Sequence, residues 1–92
     1  MLVLRLFVAG DSPRAREARA NLTRIAEARA EEARVETIDV LEHPELADEY
    51  RILTTPTVVR VAPPPRRRVT GDLRDAELVM AALGLSSYAP NE

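Results

Sequence analysis

Few residues in this chain have side chains that could do chemistry. The sequence has no cysteine and a single histidine, His43. The chain therefore cannot form disulfides, thiolate zinc sites or a dithiol redox centre, and one histidine does not predict a metal site. Ser12 is a candidate nucleophile, but its place before Pro13 at the start of a helical pattern favours an N-cap, with Asp11 as the alternative cap. We expect His43 in a loop or cap, and no catalytic residue, cofactor, metal or enzyme activity.

Arginine is the other residue type that could bind a partner. All thirteen basic residues are arginine, and the formal net charge of −2 indicates no general affinity for nucleic acid. Five of the arginines lie in or next to one segment of the second half: Arg51, Arg60, Arg66, Arg67 and Arg68. Guanidinium groups pair bidentately with carboxylates, so this cluster predicts a surface that binds an acidic partner. The alternative is a set of solvated side chains with little energetic effect.

The same segment, 53–75, contains the residues that most restrict the backbone. Thr55-Pro56 stands directly before β-branched residues and is the candidate cis peptide bond. The run Pro63-Pro64-Pro65 supplies no backbone donors, so it predicts a turn or a polyproline connection between two strands. We expect Gly71 to end the second of these strands and Asp72 to cap the helix that follows.

The first half of the chain has clear hydrophobic periodicity. Leu2 to Ala9 is apolar at every position except Arg5, which predicts a central strand covered on both faces. Apolar residues at helical spacing predict a long helix from Pro13 to about Arg34. The arginine-rich first half of this helix is a second candidate surface for an acidic partner. Alternating β-branched residues then predict a strand from Val35 to Leu41, parallel to the first.

Shorter elements are expected in the second half. A helix from Pro44 to Tyr50 precedes the proline turn, and a strand from Val58 to Val61 follows it. A fourth strand begins in the arginines and ends at Thr70, and a last helix runs to Gly84. We expect residues 86–92 to form a flexible tail. The α/β order βαβαββα, with a mixed sheet and a candidate cis-proline before the third strand, is typical of the thioredoxin-like fold.

Length and composition indicate one domain, 1–92. Of its 92 residues 46% are hydrophobic and 30% charged, which is typical of a globular protein and not of a disordered one. No apolar run approaches the roughly 20 residues that a transmembrane helix needs. The first residues lack the basic start of a signal peptide, so we expect a cytoplasmic protein that binds neither membranes nor nucleic acid.

Several stretches together resemble the circadian clock protein family KaiB. The resemblance covers residues 3 to about 85 and rests on motifs in the family's order and spacing. These motifs are LRLFVAGDSP at 4–13, IDVLEHPELA at 38–47, ILTTPT at 52–57, PPP at 63–65 and GDL at 71–73. Two features depart from the family: the long acidic C-terminal extension of many cyanobacterial members is missing, and the first helix is richer in Ala, Arg and Glu.

The resemblance implies a non-enzymatic regulator that binds the hexameric ATPase KaiC and modulates its phosphorylation cycle. KaiB-like chains exchange slowly between a resting fold of order βαββααβ, self-associated as a dimer or tetramer, and a monomeric thioredoxin-like fold that binds KaiC. Such pairs of packings differ by a few kcal/mol. The hinge of the exchange would lie in the second half, at Pro56, Pro63, Pro64, Pro65, Gly71 and Asp72. A KaiA-like protein is a further partner where the host has one.

Two other functions stay open. The first is a KaiB-like sensor or interaction module of a histidine kinase system, which shares the thioredoxin-like fold but would need a kinase region outside this sequence. The second is an enzyme of the thioredoxin family, which the absence of cysteine argues against.

Overall fold

Strands and helices alternate along the chain in the predicted order. The computed structural model describes residues 1–28 and 32–85. Its elements are β1 (Leu2–Val8), α1 (Pro13–Glu27), β2 (Ala33–Asp39), α2 (Pro44–Glu49), β3 (Thr57–Ala62), β4 (Arg67–Thr70) and α3 (Ala76–Ala82). The predicted order βαβαββα is confirmed. The expected tail, 86–92, lies outside the described residues.

The four strands form one mixed sheet in the order β2-β1-β3-β4. β1 lies inside the sheet, as its nearly continuous apolar run predicts, and pairs parallel with β2 and antiparallel with β3. At the centre Leu6 stands opposite Thr37 on one side and Val58 on the other. β4 pairs antiparallel with β3 at the far edge.

Two apolar clusters cover the two faces of this sheet. On the first face α1 and α3 pack against alternate residues of β1 and against Val58 of β3. This cluster includes Leu4 and Leu6 of β1, Leu22 of α1, and Val79 and Leu83 of α3 and its C-cap. On the second face the cluster is smaller and contains Phe7, Ile38, Tyr50 and Val59, with Leu46 of α2 packed against it. Because side chains alternate along a strand, neighbouring residues of β3 and β4 project to opposite faces. Two helices, α1 and α3, cover the first face, whereas the short α2 packs against the second.

The predicted boundary between α1 and β2 is wrong. α1 ends at Glu27, and residues 33 and 34, which we predicted to be helical, belong to β2. Ala33 and Arg34 pair with the first residues of β1, and this ladder outweighs their helix propensity. At its other end β2 stops at Asp39, whose carboxylate accepts hydrogen bonds from the N–H groups of Gly10 (3.1 Å) and Leu41 (2.9 Å). These bonds turn the chain out of the sheet.

One of the two predicted helix caps is confirmed. Ser12 caps α1, since its Oγ accepts a hydrogen bond from Ala15 N at 3.1 Å. The cap of α3 is Asp75 and not Asp72, because it is the carboxylate of Asp75 that accepts from Leu78 N at 3.2 Å. Asp72 lies one turn earlier, where its carboxylate accepts from Arg74 N and its main-chain oxygen accepts from a side chain of α1. Both aspartates satisfy the sequence pattern of an N-cap, and only the tertiary fold decides between them.

The proline turns lie where the sequence places them. The Thr55–Pro56 peptide is cis, as predicted, and the Ala62–Pro63 and Pro64–Pro65 peptides are cis as well. The proline run joins β3 to β4 as a tight connection. Gly71, with φ of +112°, ends β4 and donates its N–H to Pro56 O at 2.9 Å.

Candidate functional site

The five candidate arginines do not form one cluster. In the β3–β4 ladder Val59 is opposite Arg68, and Arg60 is opposite Arg67. Since directly opposite residues share a face, Arg60 and Arg67 project toward α3 while Arg68 projects to the second face. There Arg66 and Arg68 meet Tyr50, and the exposed Arg51 follows Tyr50 in the chain. The arginines thus divide into two groups on opposite sides of the sheet.

Arg60 is buried, with a relative exposure of 8%. Its guanidinium donates hydrogen bonds to Leu83 O at 3.0 Å, Gly84 O at 3.3 Å and Pro65 O at 3.2 Å. Its Nε has no hydrogen-bond partner among the described residues. Arg60 therefore joins the end of α3 to the β3–β4 connection, and this structure does not present it to a partner. Acceptor carbonyls at a helix C-terminus commonly bind a cation in this way.

Tyr50 is the centre of the group on the second face. Its side chain is 3% exposed, and its ring lies 5.2 Å from the ring of Phe7. The guanidinium of Arg66 stacks over the ring at 4.4 Å from the centroid. Arg68 donates hydrogen bonds to the carbonyl oxygens of Tyr50 and Arg51. One buried aromatic residue thus contacts two of the candidate arginines.

Sequence reasoning missed Tyr50. We predicted it only as the last residue of a short helix. The sequence did contain one signal for Tyr50, which is that aromatic residues are rare in it. The chain has one phenylalanine, two tyrosines and no tryptophan. An aromatic residue at the end of a polar helix in such a chain is expected to fill a specific place in the core.

Arg5 of β1 contacts Tyr50 and also forms an ion pair with Glu36. It donates to the Tyr50 hydroxyl at 2.9 Å and to Glu36 Oε1 at 2.8 Å. The hydrogen bond that Arg5 donates to Glu36 raises the pKa of the Arg5 guanidinium, so this guanidinium stays charged throughout the physiological range. Arg34 lies 3.8 Å from the other oxygen of Glu36.

Arg66 and Arg68, in contrast, have no acidic partner among the described residues. Among residues 1–28 and 32–85, no carboxylate lies within 4.0 Å of the guanidinium of Arg66 or Arg68. Both side chains are exposed. The Arg5–Glu36 pair is close to electrically neutral, whereas Arg66 and Arg68 leave uncompensated positive charge on this part of the surface.

The residues with possible catalytic chemistry remain apart. Ser12 caps α1 and His43 occupies the N-cap position of α2, and these helices lie on opposite faces of the sheet. His43 Nδ1 lies 3.5 Å from Glu45, and its side chain caps no backbone group. In the part of the chain that the structure describes, no group of three His, Cys, Asp or Glu side chains could hold a metal ion.

The predicted hinge residues are tied to other elements by main-chain contacts. Pro56 accepts from Gly71, and Pro65 accepts from Arg60. Asp72 O accepts a 2.8 Å hydrogen bond from Asn21 Nδ2 of α1. Asn21 is 7% exposed, and sequence reasoning missed it because it follows no apolar or charge pattern. Pro56 also lines a shallow cleft with Ser12, as expected for the thioredoxin-like arrangement.

The described helices do not cross a membrane. Within residues 1–28 and 32–85, each helix is too short or too polar to do so.

Comparison with known proteins gives consistent matches over most of the chain. A family model described as the KaiB domain matches residues 5–85. The circadian clock protein KaiB3 of Synechocystis sp. is 42% identical over 85 residues, which cover 91% of this chain and 83% of that protein. The circadian clock oscillator protein KaiB of Acaryochloris marina is 44% identical over 84 residues, 90% of this chain and 81% of that protein.

Among solved structures, the N-terminal domain of SasA from Synechococcus elongatus has the same fold. It superposes with a TM-score of 0.75 at 26% identity, covering 97% of this chain and 89% of that domain. Mitochondrial thioredoxin 3 of Saccharomyces cerevisiae superposes with a TM-score of 0.74 at 21% identity, covering 91% of this chain and 78% of that chain, which confirms the predicted thioredoxin-like fold.

Proposed function

The chain belongs to the KaiB family, and we propose that it is a non-enzymatic regulator of a biological clock or timer that binds a hexameric KaiC-type ATPase. The observation that carries this proposal is the match of the KaiB domain to residues 5–85, which includes every described element of the fold except the first three residues of β1. The geometry agrees with a binding role, because Ser12 and His43 are not brought together. As a regulator of an ATPase the protein would act in the cytoplasm.

The contact surface that we propose is the exposed positive group on the second face: Arg51, Arg66 and Arg68. These side chains are exposed, and the carboxylates of the described residues leave Arg66 and Arg68 unpaired. An acidic surface of the ATPase would be steered toward them, and salt would weaken this steering over a Debye length of about 8–10 Å. Arg67 lies on the other face and Arg60 is buried, so in this fold neither belongs to the surface.

We further propose that binding is coupled to the fold exchange that the family resemblance implies. The thioredoxin-like arrangement described here would be the binding form, and the resting form βαββααβ would self-associate as a dimer or tetramer. The second half supports the proposal because its elements are short: β4 has four residues, α2 six and α3 seven. The hinge would include Pro56, the run Pro63-Pro64-Pro65, Gly71 and Asp72. A KaiA-like protein would be an additional partner.

The experiment that tests the proposal mixes the purified protein with the KaiC-type ATPase of the same organism. We expect native mass spectrometry to show copies of this chain bound to the hexamer after prolonged incubation. The phosphorylated fraction of the ATPase, followed over time, should differ from that of the ATPase alone. Absence of a complex at every ratio and incubation time would contradict the proposal.

A second candidate is a KaiB-like interaction module of a histidine kinase system. The likeness to the SasA N-terminal domain favours it, because that domain is by its name one part of a longer protein. Adding a histidine kinase of the same organism to the same mass measurement separates the two functions. A complex with the kinase and none with the ATPase would support the second candidate.

A further inference from the structure

Tyr50 connects three arginines that come from three different parts of the chain. Arg5 of β1 donates to its hydroxyl, Arg66 stacks on its ring, and Arg68 of β4 donates to its carbonyl oxygen. Tyr50 itself is fixed by burial and by its contact with Phe7. A rigid residue therefore lies under side chains that are otherwise long and free to move.

We propose that Tyr50 is a positioning residue that holds Arg66 and Arg68 ready to bind a segment with clustered carboxylates on the partner. The proposal rests on the proposed function in one respect, since it places this segment on the KaiC-type ATPase. It adds a buried residue that acts on the contact surface through the arginines.

The hydrogen-bond donors of Arg66 that have no protein acceptor indicate which ligand it could bind. Its Cζ atom lies over the Tyr50 ring at 4.4 Å from the centroid, and within the described ranges its guanidinium donates no hydrogen bond to the protein. A stacked guanidinium keeps its N–H edge open, and that edge matches a carboxylate bidentately. A carboxylate-rich segment thus fits the open donors better than an apolar or cationic one.

Positioning has a physical benefit because arginine side chains lose rotamer freedom when they bind. Stacking on a fixed ring removes part of that freedom before the partner arrives, so less is lost in the complex. Glu36 does not neutralise Arg66, because Glu36 is paired with Arg5 and Arg34. The charge of Arg66 therefore remains available.

Two variants of Tyr50 separate the ring from the hydroxyl. Tyr50→Phe keeps the ring and loses the bond to Arg5, whereas Tyr50→Leu keeps an apolar side chain and loses the stack. We expect Tyr50→Leu to weaken binding about fivefold, the effect of one exposed cation–π contact, and Tyr50→Phe to change it by less than about twofold. The ligands are the KaiC-type hexamer and a fluorescein-labelled oligoglutamate peptide.

A double-mutant cycle shows whether Tyr50 acts through Arg66. Arg66→Gln should weaken binding, and in that background Tyr50→Leu should have no further effect. A merely structural Tyr50 would give effects that multiply, and that result would overturn the proposal. Melting temperatures of all variants are recorded alongside.

The outcomes also distinguish this proposal from the proposed function. One outcome is that the wild-type protein binds oligoglutamate but not the hexamer, with the four proteins of the cycle showing the expected coupling between Tyr50 and Arg66 for oligoglutamate. In that case the ATPase proposal fails and the role of Tyr50 stands. If Tyr50→Leu and Tyr50→Phe bind both ligands equally, the role of Tyr50 fails. Should Tyr50→Leu not fold, NMR of the wild-type protein decides: ring-current shifts of the Arg66 side-chain protons are expected, and unshifted protons overturn the proposal.

Discussion

Arg60 is a buried cation whose two terminal guanidinium nitrogens donate to main-chain carbonyls, while its Nε has no partner among the described residues. It was a candidate for partner contact because it belongs to a series of arginines in the sequence, yet its donors reach the end of α3 and the β3–β4 connection. A buried charge without an acid is tolerated where several carbonyl dipoles point at it. The side chain thus stabilises the attachment of α3 to the sheet.

We predict that Arg60→Met lowers the free energy of unfolding by about 1–3 kcal/mol, because the carbonyl groups at the end of α3 lose their donor. Urea denaturation followed by circular dichroism measures the change. Arg67→Gln is the matched control, as it removes an exposed arginine from the same face and should change stability by less than about 0.5 kcal/mol. An unchanged denaturation midpoint in Arg60→Met would show that α3 needs no such attachment.

The β3–β4 hairpin is the element that decides which arginines can act together. Its register sends Arg67 toward α3 and Arg68 toward Tyr50, although the two residues are adjacent in sequence. The connection between the strands brings Arg66 back over the same tyrosine. Two neighbouring arginines are therefore expected to have different functions.

We predict that Arg68→Gln weakens binding to the KaiC-type ATPase by about three- to tenfold at low salt, whereas Arg67→Gln changes it little, because only Arg68 faces the partner. Fluorescence anisotropy at low and high salt measures both affinities. The difference in affinity between the two variants should decrease as the salt concentration rises. Equal affinities at low salt would move the contact to another surface, such as the first half of α1 and the preceding loop.

Much of this hairpin and of the whole fold could be predicted from the sequence. Periodicity and turn residues depend on neighbours along the chain, so β1, the Ser12 cap and the cis-proline were found. The division of the arginines depends on the register between two strands, and the choice of Asp75 over Asp72 depends on a contact with α1. Tyr50 and Asn21 act through residues far along the chain, so even the rarity of aromatic residues that marks Tyr50 does not reveal what these side chains contact.

At the scale of the whole molecule, the two halves are held together unevenly. The first half contributes the longest helix and two strands of seven residues, while the second half contributes shorter strands and helices and two proline turns. Asn21 of α1 attaches the second half to the first through Asp72, while Arg60 and the Gly71–Pro56 bond connect elements within the second half. A second packing of this half, as proposed, would have to break these contacts while leaving most of the first half in place.

The rate of binding to the KaiC-type ATPase is the most direct test of whether a slow fold exchange precedes binding. If binding requires a slow exchange from the resting fold, the observed rate should become independent of ATPase concentration when the ATPase is in excess. The measurement is the anisotropy of the labelled protein after mixing with a rising excess of hexamer. Slow exchange before binding predicts one slow phase with a constant rate. A rate that rises in proportion to the hexamer concentration throughout would contradict such an exchange.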